Sequence, residues 1–434
     1  MLRLASLSVA SALQLFQLLR VGALLLGSVL LARSPVGVQA VGHFEAMLFV
    51  GTVVAFFWAN GLLQGIAPVF WGISEADRPV FLFHVFALFG GLSALLCGIF
   101  WLGRSVLVPA LTGLQPESGW GWYLAYLFVH LATLPLEYLY TLHRRPLSLM
   151  GWGALSFGGY VVALGTPVWM GLDLLYSLKA LAALSAVRAV WCLAALCGKV
   201  RPQWQPMVWR KYIVFSFPLV LNLLVGQAIL LFDGWLVGWY FRDETVFALY
   251  RYGSREMPVA LALASGLGTA LTARIAAEPS AGLSEMRRQG RLLFHRVFPL
   301  SIGLMPVSSA AFRGLFGHAF EPAAALFNIY LLLTISRVLL PNAIVLAYGH
   351  APVLLKVGVT ELALKVALGL ALIRIGGLTG VAWSAVLAFF WEKAALTWYV
   401  HRRLGIPVGK WLDIPLYAAY SAALLLAWAV AVFR

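Results

Sequence analysis

The sequence predicts an all-α polytopic membrane protein: two parallel six-helix bundles related by pseudo-two-fold symmetry, followed by one C-terminal transmembrane helix. Three observations carry this. The 434 residues are 62% hydrophobic and only 11% charged, whereas a soluble domain devotes about a quarter of its residues to charge. Apolar runs of about 20 residues, the length needed to cross ~30 Å of hydrocarbon, recur along almost the whole chain. Finally, residues of the first half reappear in the second at a constant spacing. Continuous runs such as Val80 to Leu102 exclude a barrel, whose strands alternate apolar and polar residues.

Reading the runs between charged or Pro/Gly breaks places spans near 8–31, 44–70, 79–103, 118–142, 148–170 and 173–198, a first set of six. A second set falls near 212–240, 245–273, 292–316, 321–348, 352–375 and 378–400, and a last span near 412–432. The domain boundaries that follow are 1–200 for the first bundle, 201–403 for the second and 404–434 for the additional helix. Arg3 precedes the first run and Arg20 interrupts it, with no small-residue cleavage site after it, so the first helix is read as retained.

Charge sets the orientation. With the N-terminus in the cytoplasm, the inner segments carry 17 of the 31 cations, among them Arg3, Arg144, Arg145, Arg287 and Arg288. The outer segments carry six: Arg33, Arg104, Arg242, Arg313, Arg374 and Arg434. That asymmetry is the positive-inside pattern of a multi-pass protein of the bacterial cytoplasmic (inner) membrane. The +15 net charge is thereby explained one short loop at a time, and nucleic-acid binding is excluded. Cys97, Cys192 and Cys197 lie in apolar runs without CxxC spacing, which argues against disulfides and a structural metal.

Pro135, Pro146, Gly171 and Leu172 recur as Pro341, Pro352, Gly377 and Leu378, all at an offset of 206. Gly42 and Glu45 recur as Gly253 and Glu256 at an offset of 211. An even number of helices per half makes the repeats parallel. Paired bundles of this kind place a substrate site between them and work by alternating access, which points to a transporter and away from an enzyme.

Eight cations fall inside spans: Arg20, Lys179, Arg188, Arg251, Arg255, Arg337, Lys365 and Lys393. Each costs at least ~2.5–3.5 kcal/mol at the bilayer centre unless it finds a partner or a wet cavity. Arg251 and Arg255 are four apart and on one expected helix face, whereas their repeat counterparts are Ala40 and Phe44. One reading makes them a clamp for phosphate or pyrophosphate oxygens; the other is an internal salt bridge among Arg251, Asp233 and Glu256. Two arginines exceed what one buried aspartate needs, which favours the clamp. Arg20 and Arg337 lie in mid-helix with no acid three or four residues away, and either line the cavity or pair across helices with Asp233 or Glu137. Glu361 with Lys365, at i,i+4, and Glu392 with Lys393 read as local ion pairs. Glu137 and Asp233 are the carboxylates placed to exchange a proton or bind sodium. His84 and His130 read as packing histidines, lacking a second ligand at metal spacing.

The stretch KYIVFSFPLVLNLLVGQAILLFDGWLVGWYF, then ALYRYGSREMPVALALASGLGTAL, resembles the start of the second bundle in polysaccharide flippases. FRGLFGHAFEPAAALFNIYLLLTISRVLLPNAIVLAYGH and GGLTGVAWSAV resemble the C-terminal half of the same family, the oligosaccharide-lipid flippases of the multidrug/oligosaccharidyl-lipid/polysaccharide exporter superfamily. The resemblance implies a V-shaped pair of bundles that moves an undecaprenyl pyrophosphate-linked oligosaccharide from the cytoplasmic to the outer leaflet for polysaccharide biosynthesis. It also implies polysaccharide assembly proteins and membrane lipids as partners. Cavity cations on the first and eighth helices of such flippases put Arg20, Arg251 and Arg255 in comparable places; with Arg337 they make the candidate substrate site. No cofactor is expected beyond a coupling proton or sodium ion at Asp233 or Glu137. A thirteenth span departs from the family's usual twelve or fourteen. Two alternatives stand beside this reading: an ion-driven multidrug exporter of the same fold, for which cavity carboxylates would be expected to outnumber arginines, and a membrane polysaccharide polymerase or ligase. The second would need a sizeable extramembrane loop and a catalytic constellation, and the sequence has neither.

Overall fold

A computed structural model describes residues 8–432, so Arg3 and Arg434 of the charge count lie outside the described residues. Every regular element among them is helical, because hydrocarbon offers no partner to a backbone N–H or C=O and only a helix or a closed barrel satisfies its own. Among the described residues, ten helical stretches are long and apolar enough to cross a membrane. The chain divides into two compact units. Unit 1 comprises residues 1–227 and 238–248, and unit 2 comprises 228–237 and 249–434.

In unit 1 the elements are α1 (Val9–Ala32), α2 (Gly37–Phe56), α3 (Ala59–Trp71), α4 (Arg78–Leu102), α5 (Arg104–Thr112), α6 (Trp120–Ala132), α7 (Leu136–Leu142), α8 (Pro146–Gly153), α9 (Gly159–Trp169) and α10 (Leu174–Leu196). A π-helical turn, Ala154–Gly158, joins α8 to α9. α6 packs between α4 and α10, while α1 lies along α8 and α9. α11 (Pro206–Phe241) contributes its first part to this unit. Its contact with α3 is set by small residues. A Cβ at Gly61 would lie 2.6 Å from Val220 Cα, one at Gly65 would lie 2.0 Å from Ser216 Oγ, and Tyr212 donates to Leu62 O at 2.9 Å. Glycines four apart thus let two helices approach closely, the usual device for helix association in lipid.

Unit 2 takes the middle of α11 and continues with α12 (Glu244–Gly253), α13 (Pro258–Ala277), α14 (Pro279–Phe316), α15 (Ala323–Leu331), α16 (Leu333–Arg337), α17 (Pro341–Ala347), α18 (Ala351–Arg402), α19 (Val408–Trp411) and α20 (Ile414–Val432). α12 is shared: its residues up to Ala248 belong to unit 1. α14 packs on α13, α15 and α20, and α18 on α15, α16 and α17. Outward faces carry exposed Leu, Val and Ile, such as Leu18, Leu102, Val190 and Ile375, as lipid contact demands.

The predicted spans hold as helical segments with corrected interiors. The span expected at 44–70 is two helices, broken at Phe57–Trp58. The spans at 118–142, 245–273 and 321–348 are interrupted at 133–135, 254–257 and 338–340, in two cases immediately before a proline and in the third at one. Pro218 lies within continuous helix. The last two spans of the second set run together as α18 and are separated by Gly377, whose φ of 55° only glycine adopts readily. Its repeat partner Gly171 has φ 78°. Pro135 and Pro341 both stand where a broken helix resumes, and Pro146 and Pro352 both open a helix. The recurrences at the offset of 206 are therefore recurrences of local structure, whereas Gly42 and Glu45 lie inside continuous α2 and their counterparts Gly253 and Glu256 lie at and beyond the end of α12.

The α3–α11 contact yields a prediction. Gly61→Val should lower the thermal stability of the detergent-solubilised protein by about 1–3 kcal/mol through overpacking against backbone, whereas Gly90→Ala, with nothing within 4 Å of an added Cβ, should leave it unchanged. Fluorescence-detected unfolding checks both.

Candidate functional site

The broken helix α6/α7 creates the site in unit 1. With its backbone interrupted at Thr133–Pro135, the chain turns Glu137 inward at the start of α7. Opposite it stands Arg20 of α1, whose Nη2 donates to Glu137 Oε2 at 2.5 Å. The Arg20 guanidinium also lies 5.5 Å from the Phe16 ring centroid and 5.8 Å from that of Phe157, which the π turn carries. π turns widen a helix locally and are frequent at functional sites. On the far side, Arg188 of α10 is 3% exposed. Its Nη1 meets His130 Nδ1 at 3.0 Å, its Nη2 donates to Thr133 Oγ1 at 3.1 Å, and its guanidinium lies 5.0 Å from the Trp152 ring centroid.

These groups surround a cavity of about 340 Å³, lined also by Asn60, Tyr123, Tyr126, Ser156, Tyr160 and Gln227. Two guanidinium groups face one carboxylate in its lining. The two differ in access. The Arg20 side chain keeps 35% of its surface exposed, so it can meet a ligand, whereas Arg188 is buried and holds His130 and Thr133 in place.

Unit 2 holds the other expected site residues, each with a different surrounding. Arg337, just before the α16/α17 break, is gripped by Glu256 through two parallel hydrogen bonds of 2.9 and 2.6 Å and lies 4.0 Å from the Phe389 ring centroid. Its cross-helix partner is therefore Glu256 and not Asp233 or Glu137. Asp233 pairs with Lys365 at 3.0 Å, and Lys365 Nζ also donates to Ile229 O at 2.8 Å. This corrects two expectations: Asp233 takes its cation from α18, where Arg251 was the expected partner, and Lys365 turns to it and away from Glu361, whose Oε1 has no hydrogen-bond partner among the described residues. The i,i+4 rule loses here because a buried aspartate in hydrocarbon demands a cation more strongly than a local pair gains. Glu392 and Lys393 do pair, at 3.0 Å.

Arg251 and Arg255 do not share a helix face. α12 ends at Gly253, and Arg255 lies in the 254–257 break with its guanidinium 4.3 Å from the Tyr252 ring centroid. The cause is local: Pro258 holds Met257 extended, with ψ 111°, and Gly253 sits so close to Ala323 that a Cβ there would come within 2.6 Å of its carbonyl oxygen. His84 is a packing histidine as expected, its Nε2 accepting from Gln205 N at 3.1 Å. His130, by contrast, lines the cavity. Arg188 was legible as a candidate, because like Arg20 and Arg337 it is a mid-span cation without an acid one turn away.

No family model matches this chain, and no curated protein matches it at a significant level. Its fold is found among solved structures. The lipid II flippase MurJ in an inward closed conformation superposes with a TM-score of 0.67 at 14% identity, covering 96% of this chain and 97% of that one. A multidrug resistance MATE family transporter of the MOP superfamily, inward-facing, gives 0.64 at 13% identity over 88% of this chain and 94% of that one. An outward-facing conformation of a multidrug resistance MATE family transporter gives 0.54 at 13% identity over 91% of this chain and 94% of that one. The chain is thus a polytopic all-α membrane protein with the fold of these transporters.

The buried pair of unit 2 yields a second prediction. Lys365→Met strands the Asp233 carboxylate and should destabilise the protein by roughly 3–5 kcal/mol, whereas the double variant Asp233→Asn, Lys365→Met should regain most of that. Thermal unfolding of the three proteins side by side tests this.

Proposed function

We propose that the protein is a membrane transporter that flips a polyprenyl pyrophosphate-linked oligosaccharide from the cytoplasmic to the outer leaflet by alternating access, with its N-terminus cytoplasmic. The observation that supports this best is the charge of the unit 1 cavity, where Arg20 and Arg188 outnumber Glu137. A guanidinium offers paired donors matched to phosphate oxygens, and in a water-poor cavity such charge-assisted bonds are strong. The aromatic rings around them, Phe16, Phe157 and Trp152, suit the isoprenoid or sugar faces adjoining a pyrophosphate. Likeness of fold to a lipid II flippase agrees with a lipid-linked substrate.

In this reading Arg20 alternates between two anions. With Glu137 ionised it is neutralised internally; with a proton or sodium ion on Glu137 it is released to the pyrophosphate. Glu137 then couples ion movement to substrate binding, and Asp233, held by Lys365, is the second candidate for coupling. Arg251, Arg255 and Arg337 remain substrate-binding candidates of unit 2, Arg337 requiring release from Glu256. No enzymatic step is part of the proposal.

The test is translocation of a fluorescent pyrophosphate-linked oligosaccharide lipid in proteoliposomes. Arg20→Ala should reduce transport at least about tenfold, the loss of one charge-assisted contact of ~1.5–3 kcal/mol. Glu137→Gln should retain binding while removing dependence on the ion gradient. An Arg251→Ala, Arg255→Ala double variant reports on the unit 2 arginines. Transport of a cationic dye, with none of the lipid, would assign the protein to drug export instead, a reading that Glu137 in the cavity would serve.

A further inference from the structure

Away from the cavity, unit 1 contains a cluster that the transport reading does not use. His43, Glu117 and Glu244 each present a ligand atom, and these atoms lie within 4.8 Å of one another. They come from three separate stretches of chain: the second turn of α2, the turn between α5 and α6, and the first residue of α12. The imidazole is 4% exposed, yet neither ring nitrogen has a hydrogen-bond partner among the described residues. A buried imidazole ordinarily satisfies both nitrogens, so a missing partner calls for an explanation.

The geometry supplies one. His43 Nδ1 lies 3.7 Å from a Glu117 carboxylate oxygen, beyond hydrogen-bond reach. That is close to the separation of two ligands that each sit ~2.0–2.2 Å from one metal ion. The backbone holds the third ligand in place: Gly42 packs so tightly against Glu244 that a Cβ would fall 1.9 Å from its carbonyl oxygen, and Asp243 caps α12 by accepting from Val246 N at 2.8 Å. The Trp120 ring lies near-perpendicular to the imidazole, with 6.1 Å between ring centroids.

We propose that His43, Glu117 and Glu244 bind a divalent transition-metal ion, with zinc the ion best suited to one imidazole and two carboxylates completed by water. The site has a structural consequence. Glu244 belongs to the segment 238–248, which joins unit 1 although the residues on either side of it belong to unit 2. The ion fastens that segment to α2 at the point where the chain changes unit.

The test uses the full chain in detergent, stripped with a chelator and titrated with zinc chloride. Expected are one tightly held zinc per chain by elemental analysis, a rise in unfolding temperature that equal magnesium does not produce, and a visible absorption band with cobalt(II) as the probe. Glu117→Gln is the decisive variant, since its side chain is 58% exposed and its loss leaves packing intact. It and Glu244→Gln should weaken zinc at least about tenfold and abolish the cobalt band. Zinc bound equally by wild type and both variants would place the ion on surface histidines and overturn the assignment. So would a wild type that retains no zinc.

Discussion

Hydrocarbon tolerates no backbone N–H or C=O without a partner, and each interruption of a helix in this protein is a local violation that something must cover. Three of the interruptions, at 133–135, 254–257 and 338–340, have a buried or half-buried charge beside them. Glu137 follows the first, Glu256 lies within the second, and Arg337 precedes the third. The breaks turn these side chains inward, and the ion pairs they form, Arg20–Glu137 and Arg337–Glu256, hold the broken segments against their neighbours. Charge and irregular backbone occur together because each makes the other tolerable in the membrane interior.

The two units use the same local devices differently. Both resume a broken helix at an equivalent proline, and both separate their last two spans with a left-handed glycine. In unit 1 the space behind the break is a cavity of about 340 Å³ bearing two arginines. In unit 2 it is filled: the pocket beside Glu256 and Arg337 has room for about 10 Å³, and the Asp233–Lys365 pair is sealed from solvent. A repeated scaffold has thus been specialised by side-chain substitution at breaks of common design, one leaving a guanidinium accessible and the other closing on its charges.

How much was legible in the residues follows from which forces are local. Hydropathy reports on single side chains, so span positions and the cations within them could be read directly. The offset of 206 was visible because proline and glycine mark backbone positions that other residues cannot occupy. Arg20 was recognised as a mid-span cation needing either a cavity or a partner, and the structure gives it both. Helix continuity was misread at 254–257, since i,i+4 spacing counts only where the helix persists, and Pro258 ends it. Lys365 was misassigned because a local pair with Glu361 is visible in sequence and a distant Asp233 is not.

By itself the sequence determined the solvent, the helical class and the residues that hydrocarbon would not tolerate unpaired. Those properties depend on composition and on periodicities of a few residues, and tertiary context does not change them. The tertiary structure alone decided which acid meets which base, that Arg188 organises His130 and Thr133, and that His43, Glu117 and Glu244 converge from three segments. Such pairings join residues tens to hundreds of positions apart, and no local rule relates them. They depend on how glycine-lined helices settle against one another at distances of a few ångströms.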